Sequence, residues 1–402
     1  MGKKHRHGWP VASSARSTRR GKGVLFNGRG LVFVTILATA STLLAIAHFR
    51  HVTETKYAVL NNQSVKIAAR PIASPMIDES ELKPNSLREL LQIQPGELGR
   101  VDIGRMDLLC AEGLPGAEEL NTDQCSRTLD EWAKQTRFGT ARQLSRFHAD
   151  PKHWNYSAGI FRMDMLIATL QRHFGIRYEP RFIPVKGVPE ASDKEFYSDS
   201  RTIFIHGLLT ANRTGTCSSM PVLYVAVGRR LGYPLKLVLS KTHVFARWDG
   251  EKDSFNIEGT NIGLSAPTDQ KYRTWPLPID DKEITEERYL ASLTPQEELS
   301  VFLGLRCCCL MSHDILFGAG EMMIEANRLA PHFKRIHVEM AELVKVFDQQ
   351  MAYYNIEQHR NLALFGNVND PDQAIGGLTA LGGELSKLQQ LKIRLQNPRT
   401  AP

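Results

Sequence analysis

Residues 215–263 read GTCSSMPVLYVAVGRRLGYPLKLVLSKTHVFARWDGEKDSFNIEGTNIG, and this stretch decides the fold. Its first half is helical. Met220, Leu223, Val227 and Leu231 recur at helical spacing, Pro221 suits only a first turn, and Gly232 stops the run. The spacing predicts a helix over 218–231 with Cys217 at its mouth and Gly215 turning the backbone into it. The second half predicts short strands over 235–240, 243–248 and 254–258. His243 follows Cys217 by 26 residues. A cysteine at a helix entry and a histidine on a later strand are the parts of a thiolate nucleophile and its base.

A histidine base needs a third group on its other ring nitrogen. If residues 249–252 form the loop of the last hairpin, positions whose numbers sum to 501 lie opposite one another, and His243 faces Glu258. Asn256 is the alternative third member if the register differs. Gly215, Ser218 and Trp248 are candidate pocket residues. Each residue alone also has a bland role: a small buried thiol, a satisfied core histidine, a solvated glutamate. Only the joint arrangement points to chemistry.

The same block resembles the core of the bacterial transglutaminase-like superfamily, in particular its members with a helical, tetratricopeptide-like tail. Residues 200–263 carry the resemblance strongly; 105–199 and 285–350 carry it loosely. The resemblance implies an α+β, papain-like fold in which the cysteine-bearing helix packs on a small antiparallel sheet. It implies Cys217 as nucleophile, His243 as base and Glu258 as orienting acid, acting on an amide or peptide bond through a cysteine acyl-enzyme without metal or other cofactor. Hydrolysis and transfer to an amine share every step up to deacylation, so both stand. The family's usual Asp is Glu258 here, one methylene longer and fifteen residues after His243. That departure sustains the alternative of an inactive transglutaminase-like binding or scaffold module.

The rest of the 402-residue chain places this block in context. Residues 1–50 hold nine Lys and Arg and no acid, leaving 41 basic against 43 acidic residues beyond, so the net charge of +7 is confined to a tail. A body without net positive charge gives no footprint for nucleic acid. After the basic tail of 1–30, residues 31–49 read LVFVTILATASTLLAIAHF, long enough at about 1.5 Å per residue to cross a bilayer core of about 30 Å. Basic flanks stay cytoplasmic, so the body is expected outside the cytoplasm at the cell membrane. Ala45-Ile46-Ala47 leaves open a cleaved signal in place of a single-pass anchor. A linker over 50–100 leads to the transglutaminase-like domain over 101–284 and a helical region over 285–402, the latter a candidate surface for a protein partner. The expected substrate is a protein or peptide.

Smaller signals fill in the plan. Helices are expected over 128–146 and from Ser157 to Gly175, and a strand over 202–208. A capping box at Thr294-Pro295-Gln296-Glu297 opens the helical region. Ala319, Met323, Ala326 and Pro331 follow at a spacing resembling a tetratricopeptide second helix. A Gly-rich run over 376–383 precedes a final helix near 384–395. Cys110 and Cys125 are either a pair or two free thiols. Cys307-Cys308-Cys309 lie about 100° apart on a helix, which suits packing and not one tetrahedral metal. His148 and His153 around Asp150 are a weak metal candidate, and His206 a weak candidate for lining the site.

Overall fold

The computed structural model describes residues 81–183, 191–210, 212–364 and 371–397, with side chains given except over 355–381. The basic tail, the candidate membrane span of 31–49 and the linker up to residue 80 lie outside the described residues. Among the described residues, no helix is long and apolar enough to cross a membrane.

Side-chain caps set most of the helix starts. Asp102 accepts from the Arg105 N–H at 2.9 Å and opens α1, Ile103–Ala111. Asn121 does the same for Gln124 at the head of α2, Thr122–Ala149, so the helix expected from residue 128 begins a turn and a half earlier. Ser157 accepts from the Ile160 N–H at 3.0 Å to open α3, Ala158–Ala168. A π turn carries α3 on to His173, and Gly175 ends it with φ +75°. A two-residue strand β1, Arg177–Tyr178, then pairs in parallel with β2, Thr214–Gly215.

Between these strands the expected strand over 202–208 is absent. Ser200–Ile203 and His206–Leu209 are single helical turns, the first capped by Asp199 accepting from the Arg201 N–H at 3.0 Å. Ile203, Phe204 and Ile205 are all fully buried. A short apolar run buried on every side has no periodicity to separate strand from helix, which is why its composition misled.

The central element is α4, Met220–Arg230, buried from Met220 through Gly228. A helix apolar all round must be wrapped. Here α1, α2 and α3 cover it on one side, and on the other an antiparallel sheet in the order β3-β4-β5, Leu235–Ser240, His243–Asp249 and Ser254–Ile257. The fold is therefore α+β, with a small sheet in a mostly helical body.

The C-terminal helices are α5, Pro295–Ser312, α6, Leu316–Leu329, α7, Lys334–Leu364, and α8, Pro371–Gln396. Thr294 and Glu297 form the expected reciprocal capping box with Pro295 in the first turn. Ala319, Met323 and Ala326 are buried on α6. The helix α8 begins at Pro371, so the Gly-rich run is inside it and not before it. The α5–α6 pair shares one hydrophobic core with α1 and α4. Arg229 of α4 also reaches the fully buried Glu298 of α5 at 2.5 Å.

Candidate active site

Cys217 sits in a turn that leads into α4, three residues before its first helical residue. The turn is pinned by its neighbours. Thr216 donates its hydroxyl to the Thr202 carbonyl at 2.7 Å, while Ser219 Oγ accepts from the Thr216 N–H at 3.0 Å. The helix expected at residue 218 starts later because Ser218 and Ser219 are spent on this turn. Gly215 has no left-handed φ, contrary to the expectation that it turns the chain. Its role is space: a Cβ there would lie 2.6 Å from Ser219 Oγ and 2.7 Å from Leu208 Cδ2.

His243 and Glu258 meet, though not through the expected register. Pairs such as Ala246 with Ile257 and Arg247 with Asn256 sum to 503, two more than the sequence-based register. The hairpin loop is 250–253, one residue later at each side. A slip of two keeps every side chain on its face, so Glu258 becomes a diagonal neighbour of His243 instead of a direct one. It lies one residue past the end of β5, and the distance from His243 Nε2 to Glu258 Oε2 is 2.9 Å. The next residue makes the approach to α4 possible. A Cβ on Gly259 would lie 2.9 Å from Pro221 Cγ and 3.1 Å from its backbone nitrogen. Only a glycine lets the end of β5 rest against the first turn of α4.

Four donors hold the Glu258 carboxylate. Oε1 accepts from the Thr260 N–H at 3.0 Å and the Thr260 hydroxyl at 2.8 Å; Oε2 accepts from His243 Nε2 and the Tyr272 hydroxyl at 2.8 Å. Burial alone would favour the neutral acid, but the charge and hydrogen bond of His243, with the Thr260 donors, outweigh it and hold the carboxyl below its ordinary range. Burial likewise opposes a charged imidazole at His243. The Glu258 carboxylate, with hydrogen bonding to Cys217 and Glu258, overcomes that and lifts the ring to about 10. The pair is thus an imidazolium and a carboxylate at neutral pH.

With Nε2 on Glu258, Nδ1 is the ring atom left toward Cys217. Nδ1 is buried and has no partner at full hydrogen-bond geometry among the described residues, while the thiol is near enough to add to the ring's basicity. A thiol–imidazole contact of this kind tightens when a reacting group is bound. The ring's faces are fixed as well, by Trp275 edge-on at 4.7 Å and by Tyr272, itself stacked on Phe245 at 3.8 Å.

Cys217, Ser218 and His243 line one cavity of about 60 Å³. Its other walls come from elsewhere: Tyr178 on β1, Phe196 and Tyr197 at the end of the helical turn Asp193–Phe196, Val301, Gly304 and Cys308 on α5, and Arg335 and Glu339 on α7. Arg335 and Glu339 form an ion pair at 3.5 Å. Cys217 is 9% exposed.

The remaining candidates fall away from this site. Asn256 accepts from Arg247 Nε at 2.8 Å and donates to the Pro267 carbonyl and to Asp269 Oδ1, so its amide is spent on partners other than His243. Trp248 is an odd number of residues from His243 and points to the opposite face of the sheet, where it packs on Phe255. His206 is buried between Ser200 Oγ and the Gly116 carbonyl, outside the cavity, and burial lowers it to about 4. Cys110 and Cys125 are free thiols, and Cys307 and Cys309 pack inside α5. Among the described residues, no group of His, Cys, Asp and Glu is arranged to hold a metal, the residues around Asp150 included.

Sequence reasoning missed Thr260, Tyr272, Trp275, Tyr178 and the α5 and α7 residues. Thr260 was within reach, as a hydroxyl two residues after the acid on a chain end that must turn. No family model matches the chain, and no curated protein or solved structure matches it.

Proposed function

We propose that the protein is a transglutaminase-like thiol enzyme that cleaves or exchanges an amide bond through an acyl group on Cys217. The observation that carries this is the His243 ring, joined through Nε2 to Glu258 and presenting Nδ1 to Cys217 inside a lined cavity. An imidazolium beside a sulfur favours thiolate, the reactive form. The thiolate adds to the substrate carbonyl, and His243 gives its proton to the departing amine. The neutral ring then deprotonates the water or amine that releases the acyl group. Glu258 keeps the ring oriented and its charge compensated throughout. In the full chain, residues 31–49 anchor the enzyme in the cell membrane with its body outside the cytoplasm, where a protein or peptide is the natural substrate.

A reporter ester tests the thiol chemistry without knowledge of that substrate. The full-length protein mixed with p-nitrophenyl acetate is expected to release a burst of p-nitrophenolate and to carry one acetyl group on the Cys217 peptide by mass spectrometry. Cys217→Ala is expected to lose both. A burst of equal size in Cys217→Ala would sink the proposal. The alternative, a fold that binds without turnover, draws on the small cavity and the low exposure of Cys217. It expects no acetyl group in the wild-type protein.

A further inference from the structure

We propose that Tyr178 is a further catalytic residue, whose phenol O–H donates to the oxyanion that forms when Cys217 adds to a carbonyl. The inference rests on the thiol chemistry above and extends it to the group that receives the developing negative charge.

Strand pairing places the residue. Tyr178 on β1 stands opposite Gly215 on β2, and Gly215 is two residues before Cys217. The parallel pair is continued by the Glu179 N–H donating to the Gly215 carbonyl at 2.8 Å, which fixes Tyr178 against the backbone entering the nucleophile turn. Its half-buried side chain lines the same cavity as Cys217, Ser218 and His243.

Its hydroxyl is also available. The other phenol at the catalytic pair, Tyr272, is committed to Glu258 Oε2 at 2.8 Å. Among the described residues nothing accepts from the Tyr178 hydroxyl. Burial first, then the nearby Cys217, Glu258 and Glu179, push its ionisation well above the ordinary tyrosine range, so it is a neutral donor under all working conditions. A phenol that keeps its proton can lend it to an oxygen that gains charge only in the transition state. Tyr197 shares the cavity, but it is tied to Phe196, edge-on at 5.0 Å, and through its carbonyl to the Ser312 hydroxyl of α5, and not to the strand that leads into the Cys217 turn.

The step balances without any co-reactant. A sulfur lone pair forms the S–C bond while the carbonyl π pair moves onto oxygen, where the Tyr178 O–H donates without giving up its proton. The pair returns as the bond to the leaving group breaks.

Two electrophiles separate this role from thiol reactivity as such. Iodoacetamide alkylates by direct displacement of iodide and forms no oxyanion; p-nitrophenyl acetate passes through one. In Tyr178→Phe, acetylation of Cys217 is expected to slow by about tenfold or more, a single oxyanion donor being worth on the order of 10²–10³ in rate. Alkylation is expected to stay within about twofold, because the lost donor acts on the oxyanion and not on the thiolate. Wild-type acetylation in Tyr178→Phe overturns the assignment, as does an equal fall in both rates, or a loss found only in Tyr197→Phe. If Tyr178→Phe does not fold, 3-fluorotyrosine at 178, a more acidic donor, is expected to speed acetylation at pH 6.5 and leave alkylation unchanged. Unchanged acetylation there overturns the assignment too. A wild-type protein that takes neither reagent at Cys217 fails the thiol proposal itself, and this one with it; a wild type that takes both isolates the failure to Tyr178.

Discussion

The two sides of the cavity have different origins. One side, Cys217, Ser218, His243 and the Glu258 behind it, comes from a helix entry and a hairpin that lie within 215–263. The other, Tyr178, Tyr197, Val301, Gly304, Cys308, Arg335 and Glu339, is assembled from a two-residue strand, the end of a helical turn and two helices of the C-terminal region. On the proposed chemistry, the contrast separates what would make the thiol reactive from what would decide which carbonyl reaches it. Reactivity needs a few polar groups at hydrogen-bond distance, and short-range chain geometry delivers them. Access needs shape, which only the tertiary packing of α5 and α7 supplies.

Substitutions on the first side should change reactivity most. His243→Ala removes the positive charge beside the sulfur, and alkylation of Cys217 at pH 7 is expected to fall by about tenfold or more, because an unassisted thiol is only a few per cent thiolate there. Stopped labelling and peptide mass spectrometry would read it; an unchanged rate would mean that the two residues are merely neighbours.

Glu258→Gln is the next largest change and has its own pH signature. Because His243 in the folded protein is raised to about 10, the native state holds a proton that the unfolded chain releases near about 6.5. The stabilisation is therefore complete below about 6.5 and is lost as pH rises toward 10. Glu258, held low, works in the opposite direction: its contribution is present above its unfolded value near 4.5 and is lost as pH falls through its lower folded value. Urea unfolding of the wild type at pH 7, 8 and 9 is expected to show falling stability, and Glu258→Gln a flatter profile. A variant slope as steep as the wild type's would remove Glu258 as the source.

Tyr272→Phe sharpens the comparison from behind the acid. Losing a donor to a buried carboxylate is expected to cost about 1.5–3 kcal/mol of stability, with less than a tenfold change in labelling, since three other donors remain. Gly304→Ala probes the opposite side and should have the smallest effect. Nothing lies within 4 Å of a Cβ there, so alanine is expected to stabilise α5 by at most about 1 kcal/mol while narrowing the cavity. Labelling by a bulky electrophile such as a biotinylated iodoacetamide should then slow more than labelling by iodoacetamide itself. Equal slowing would show that α5 does not control access.

The sequence made the first side legible for physical reasons. Pro221 and Gly232 mark the two ends of α4 whatever packs on it, and the period-two alternation of 243–248 carries His243 to one face and Trp248 to the other. Parity also explains why a register misjudged by two still brought His243 to Glu258. The misjudged Gly215 and the strand expected over 202–208 share a cause: both depend on how closely neighbouring segments approach, a quantity that residue spacing does not contain. Tyr272 and Tyr178 were invisible for the same reason. One is fixed by a capped turn over Asp269–Tyr272, the other by a two-residue parallel pairing, and neither lies in a motif. The helical region could be recognised from its capping box and its small buried residues, Ala319 and Ala326, but not its contribution to the cavity.

The central claim is that His243, charged and steadied by Glu258, makes Cys217 the reactive sulfur among six cysteines. Competitive labelling of the folded protein with limiting iodoacetamide at pH 6, with each cysteine peptide quantified, tests this most directly. At that pH an unassisted thiol of pKa about 8.5 is almost wholly protonated, so the label is expected at Cys217 well ahead of Cys125 and Cys308, and in Glu258→Gln that lead should shrink. A label spread according to exposure alone, with Cys217 no faster than Cys125, would contradict the account.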